Sequence, residues 1–255
     1  MSSFTGAFRF QLQVIRSQPD YLLPLLVSGL YAVIFLTIVR HAGRVDLIAN
    51  ALVAPVLIGL WGLALSISGE IVDVERWNGT LELTLAAPAG LAFVVLARTL
   101  AVTAVGLVVF VEIWLLARVG FGVSLVVRHP TVFALTFVAT ALAMAGTALT
   151  MAALFVLTRS ARTFQNSLSF PFYVLGGVIA PVSLLPAWLR PVSAGVFLSW
   201  SADLFRATLA PDPVGRLPLR LAVLLALAGA GFAVGRVALE RIVRRVRRDG
   251  TVGFA

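Results

Sequence analysis

The sequence predicts an all-α polytopic membrane protein, and three observations carry that prediction. The 255 residues are 60% hydrophobic and only 12% charged, against about 25% charged in an average soluble domain. Mean hydropathy is +1.01. Apolar runs of about twenty residues, long enough to cross a bilayer as helices, recur six times, and the charges gather between them. A single membrane domain over residues 1–255 is expected.

Composition also removes whole classes of function. There are no cysteines, which excludes disulfides and thiolate metal sites. His41 and His129 are too few for a histidine-rich metal site. All twenty basic residues are Arg and the net charge is +9, yet nucleic acid is not the expected partner. Arg241, Arg244, Arg245, Arg247 and Arg248 crowd the tail over residues 240–255, beside the last apolar run. There anionic lipid is the expected partner.

In chain order, Phe4, Phe8, Leu12 and Ile15 alternate with Arg9, Gln11, Gln13 and Arg16 at helical spacing. This predicts an interfacial amphipathic helix over residues 4–18, with a disordered tail as the alternative. Pro19-Asp20 breaks it. The first span is expected over residues 21–39, with no small-residue cleavage site after it, so it should remain as an anchor. The remaining spans are placed at residues 47–68, 91–116, 131–157, 164–180 and 217–239.

Within the spans, Glu112 falls near one end of the third, at 1.5 Å per residue. It reads either as a contact for substrate or protons, or as an interfacial carboxylate pairing with Arg118. Arg98 is expected to snorkel to lipid phosphate. Gly231 and Gly235 form a Gly-x-x-x-Gly in the sixth span. In so Ala/Gly-rich a chain this spacing reads first as incidental, with a helix-packing face as the alternative. Ser28, Thr103, Thr140 and Thr147 offer hydroxyls among many Leu, Val and Phe, a lining suited to amphipathic or lipid-like molecules.

Residues 67–88, ISGEIVDVERWNGTLELTLAAP, separate the second and third spans. Glu70, Asp73, Glu75 and Glu82 all fall here. A charge at the bilayer centre costs about 2.5–3.5 kcal/mol, so the segment must lie in water. Apolar Val74, Trp77 and Leu81 keep a helical period, while Asn78-Gly79 is a stop signal inside it. The expected form is a helix running on from the second span to about Asn78, then a break at Gly79. A second short helix follows, N-capped by Thr80, with Glu82 near its positive end and Pro88 closing it. Two readings stand on pattern alone, an angled docking elbow or a solvated loop.

Residues 181–218 carry Pro181, Pro186, Pro191, Pro211 and Pro213. Their apolar pieces at 182–189 and 192–204 are too short to cross, and Pro-broken pieces of that kind predict re-entrant or interfacial helices. One extra crossing there is the alternative. Arg159 and Arg162 mark the short connection between the fourth and fifth spans, read as an anchor, with a secondary role in docking as the alternative.

The string ERWNGTLELTLAAP resembles the segment between the second and third spans of ABC type-2 exporter permeases. Glu75, Arg76, Gly79, Thr80, Leu81, Glu82 and Pro88 match the family's pattern. A downstream stretch is similar to the family's outer segment, through Pro181, Leu185, Pro186, Trp188, Leu189 and Arg206. Phe197-Leu198 departs from the Asn-Pro common there. The resemblance implies a half-transporter of the bacterial inner membrane. Two permease chains would pair, as a homo- or heterodimer, and each would dock a separate nucleotide-binding ATPase subunit through residues 70–82. The partner would bind ATP and Mg, and drug (multidrug efflux), antibiotic, lipid or lipid-linked glycan would be the cargo.

The residues themselves agree that ATP is hydrolysed elsewhere. A Walker A loop requires a Lys to reach the terminal phosphates, and this chain has none. An ion-gradient-driven secondary transporter is the alternative, but such proteins place ionisable residues at mid-membrane, and none falls clearly there. A membrane-embedded enzyme ranks last, because no triad, carboxylate pair or metal-ligand set converges.

Orientation follows from Arg. With both termini inside, inner segments hold twelve Arg and outer segments eight. The positive-inside rule then places the termini and residues 67–88 in the cytoplasm.

Overall fold

The structure, a computed structural model, describes residues 13, 23–77, 90–123, 126–157 and 161–249. Every regular element among them is helical, as the apolar runs predict. In chain order these are α1 (Leu23–His41), α2 (Ile48–Trp77), α3 (Gly90–Phe121), α4 (Pro130–Leu157), α5 (Ala161–Leu175), α6 (Arg190–Ala194), α7 (Phe197–Leu209) and α8 (Leu217–Asp249). Single 3-10 turns lie at Val45–Leu47 and Val182–Leu184. The surface helix expected over residues 4–18 lies outside the described residues, save for helical Gln13.

Three helices among the described residues are long and apolar enough to cross a membrane, over Ile48–Leu65, Pro130–Val156 and Leu217–Ile242. The shorter apolar run Leu26–His41 lies in α1. Helices suit that solvent because each satisfies its own backbone polar groups.

A short turn folds α1 back onto α2. Gly43 supplies the left-handed backbone it needs, at φ 65°. Arg44 donates to both carboxylate oxygens of Asp46 at 2.9 and 2.8 Å. That hydrogen bond holds the Asp46 carboxyl below its ordinary range.

The core is built around α2, which packs on α1, α3, α4, α5 and α7. Leu57, Leu60, Trp61, Ala64 and Leu65 are all buried. Pro55 removes one ladder hydrogen bond, but α2 continues through it. Trp61 stacks on Phe172 at 4.8 Å and meets Phe197 at 5.6 Å. Phe110, Phe133 and Phe205 form a second aromatic group, with centroids 5.1–5.4 Å apart.

The most extensive helix pair is α4 with α8. Here the Gly-x-x-x-Gly that reads as incidental in the sequence is a packing face. A Cβ on Gly231 would stand 2.8 Å from the Gly146 carbonyl carbon, and one on Gly235 2.8 Å from the Thr150 amide. Thr150 Oγ1 donates across the contact to the Gly231 carbonyl at 2.9 Å. Lipid offers helices no hydrophobic drive to associate, so close backbone approach and such hydrogen bonds must hold them together.

The fifth apolar run, expected as a span over residues 164–180, is helical over Ala161–Leu175 and stops five residues short of that expectation. The reason is a Schellman stop at Gly176-Gly177. Gly177 takes φ 58°, its amide donates to Val174, and the Val178 amide donates to Tyr173, both at 3.0 Å.

Candidate functional site

Two regions singled out by the sequence are positioned by this bundle, one at each end. The first is the far end of α2. The uncharged stretch of α2 closes at Gly69, but the helix persists to Trp77. Residues 70–77 extend it by about 12 Å. Glu70, Asp73, Glu75 and Arg76 all ride on this extension, as the continuing helical period predicts. The sequence there keeps Ile67, Ile71, Val74 and Trp77 at helical spacing, with no Pro before the Asn78-Gly79 stop. Gly79, Thr80, Leu81, Glu82 and Pro88 lie outside the described residues, so the break and second arm of the elbow do too.

Alternation of helix direction collects other segment ends on the same side. The start of α3 at Gly90, the end of α4 at Leu157 and the start of α5 at Ala161 all lie there. Arg162 is the second residue of α5, while Arg159 lies outside the described residues. α8 runs parallel to α4 and carries its Arg-rich turns to this side, where Arg236 donates to Glu240 at 2.8 Å.

The second region is the Pro-rich segment at the opposite end. Pro181 opens the 3-10 turn at Val182–Leu184, and Pro191 sits in the first turn of α6. Arg190 donates to the Ser183 and Leu185 carbonyls at 2.8 and 3.1 Å, which closes the loop around Pro186. Trp188 points outward, 73% exposed. α7 then runs antiparallel to α4, beginning against Trp61 through Phe197 and passing Phe133 through Phe205. Buried Thr140 donates to Ser201 at 2.9 Å along this seam.

Arg206 ties α7 to the end of α5. Its guanidinium donates to the Gly177 and Val178 carbonyls, the latter at 3.2 Å. Both carbonyls belong to the Schellman turn that follows α5. Sequence reasoning found Arg206 but missed its companions. Arg220 of α8 pairs with Asp203 of α7 at 2.8 Å. His129 Nε2 donates to the Asp212 carbonyl at 3.0 Å, and the Arg128 and His129 amides both donate to Thr208 O. The available signal was a lone carboxylate, Asp203, inside an otherwise uncharged apolar run.

Other candidates from the sequence resolve differently from expectation. Arg118 does not pair with Glu112; its guanidinium lies over the Trp114 ring, 5.5 Å from the centroid. Glu112 instead reaches α1, where a Cβ on Gly29 would stand 2.6 Å from its Oε1. Thr140 is consumed by Ser201, and Ser28 is fully buried. Thr147 lines a cavity of about 260 Å³ with Phe172, Phe197 and Gly231. The side chains of Arg98 and Thr103 lie outside those described. No His, Cys, Asp and Glu cluster that could hold a metal occurs among the described residues.

A family profile described as ABC-2 type transporter matches residues 4–210. No protein of curated function matches the chain.

Proposed function

The chain belongs to the ABC-2 type transporter family and is therefore an ABC transporter permease subunit that works with an ATP-binding partner; on that premise we propose that it is one half of an ATP-driven exporter's membrane pathway. The observation that carries the reading is the overrun of α2, which keeps four charged residues on a continuous helix past its uncharged stretch. A helix continuous with the core is a lever. Force applied at Glu70, Asp73, Glu75 and Arg76 passes directly to Trp61 and the aromatic groups packed on it.

In this reading the chain crosses the membrane six times, with α5 and the Pro181–Leu209 segment together forming the fifth crossing and its re-entrant outer cap. Residues 67–88 form the coupling elbow, with Gly79 as its bend and Thr80, Leu81 and Glu82 on its second arm. Arg159 and Arg162 add a secondary contact. Two permease chains pair, each with one nucleotide-binding subunit that holds ATP and Mg. The absence of any Lys supports an ATPase site outside this chain. The cargo is amphipathic or lipid-like, moved out of the cytoplasm or inner leaflet of a bacterial inner membrane.

The test is export and ATPase stimulation by the full complex, with Glu75→Ala, Arg76→Ala, Glu82→Ala and Gly79→Pro at matched expression. Truncating one partner of a buried interface charge pair costs about 2–5 kcal/mol, whereas an ordinary surface change stays within about 0.5 kcal/mol. Loss of export with intact membrane insertion is expected. Normal export and normal ATPase retention in all four would reduce the segment to a solvated loop.

A further inference from the structure

A cavity of about 360 Å³ opens between α2, α3, α4 and α7. It lies within the size range of small-molecule sites, about 300–1,000 Å³. Every side chain lining it is apolar, among them Leu52, Val56, Phe110, Ile113 and Phe133. Val56 is about 12 Å along α2 from Ile48, and Phe110 about 16 Å back from the end of α3 at Phe121. The cavity therefore extends about half the depth of a hydrocarbon core. It enters from the bundle end that carries the Pro-rich segment, since Leu209, at the end of α7, also lines it. Val111 marks its lip and is 55% exposed on the outer face of the bundle.

Its mouth is cationic. Trp114 forms part of the wall, and Arg118 lies over that ring. Val127 forms another part, and the next residue, Arg128, is anchored through its amide to Thr208 O beside the lining Leu209. Both Arg side chains are exposed, and neither forms an ion pair among the described residues. A one-leaflet-deep apolar cavity, open toward lipid and bordered by the Arg118 guanidinium and by exposed Arg128 beside the lining Val127, has the shape and charge of an amphiphile.

We propose that this cavity holds one acyl chain of an anionic phospholipid drawn from the adjacent leaflet, with its phosphate on Arg118 and Arg128. A planar guanidinium suits a phosphate through paired hydrogen bonds. The site goes beyond the transport role proposed above and does not depend on it. It involves no residue of the α2 extension, and α5 takes no part in it.

The test is lipid retention by the full-length chain purified in detergent, read by native mass spectrometry with phosphatidylglycerol and phosphatidylcholine of equal chain length. The wild type should retain one phosphatidylglycerol in preference to phosphatidylcholine. Val111→Trp, which fills the lip from an exposed position, should abolish that retention. Arg118→Ala with Arg128→Ala should lower it about thirtyfold, the expected effect of losing two cationic contacts near the surface. Leu115→Trp is the control for folding and bulk, because Leu115 is 46% exposed on the same helix but does not line the cavity; it should retain the lipid. Equal retention of both lipids, or retention undiminished by Val111→Trp, would overturn the proposal. So would equal losses in Val111→Trp and Leu115→Trp.

Discussion

Gly146 of α4 and Gly231 of α8 meet backbone to backbone, close enough that a Cβ on Gly146 would stand 2.6 Å from the Ala228 carbonyl oxygen and one on Gly231 2.8 Å from the Gly146 carbonyl carbon. The atoms in the way are main chain, which cannot swing aside as a side chain can. Gly231→Val or Gly235→Val should therefore force the two longest-packed helices apart. The expected loss is about 1–3 kcal/mol, the usual cost of overpacking, read as a lower melting temperature in detergent. A Cβ on Gly229 would meet nothing within 4 Å. Gly229→Ala should be neutral or stabilising by up to about 1 kcal/mol, and equal damage from it would deny that packing is the cause.

Arg206 has a different kind of importance. It serves the Gly177 and Val178 carbonyls of the glycine turn that follows α5. Arg206→Met keeps much of the stem but removes both donors. A loss of about 1.5–3 kcal/mol is expected, the range for hydrogen bonds to charged groups. Arg206→Lys should recover only part of it, because an ammonium lacks the planar fork. Full recovery by Lys in a thermal unfolding series would mean that charge alone is at work.

The Asp203–Arg220 pair is the outer segment's link to α8, at 2.8 Å. Asp203 is 54% exposed and Arg220 24% exposed, so solvent screens much of the attraction. A double-mutant cycle with Asp203→Asn and Arg220→Gln should give a coupling of only about 0.2–1 kcal/mol. A coupling well above that would show the pair to be buried by a second chain in the assembled transporter.

Topology can be read with single cysteines in a chain that has none of its own. Cysteines replacing Ser2, Asn78 and Thr251 should resist an impermeant thiol reagent applied to intact cells. One replacing Val126, exposed in the loop between α3 and α4, should react. Labelling at Asn78 with protection at Val126 would invert the whole arrangement.

Much of the architecture is local chemistry, and for that reason legible in the chain. Apolar runs of bilayer length become helices because no other backbone form satisfies itself in lipid. Pro55 shows the limit of local rules, since it lies inside an unbroken helix. The helical extension bearing Glu70 to Arg76 follows from side-chain periodicity alone, and the short helices among Pro181, Pro186 and Pro191 follow from residues that cannot continue a helix.

What the chain alone determined, then, was the all-helical membrane class, the Pro-broken short helices after α5 and the charged overrun of α2. What only the tertiary structure decided was which residues meet. Gly231 and Gly235 have the same local preference whether or not a partner helix carries Gly146, so their role is invisible until α4 and α8 are brought together. Glu112 faces Gly29 rather than Arg118, because the direction of a helical side chain is set by its place on the helix, and the neighbour it meets is set by packing. The early stop of α5 depends on a turn whose carbonyls are taken up by Arg206, twenty-nine residues beyond Gly177. Contacts across that separation belong to the fold, since no local preference encodes them.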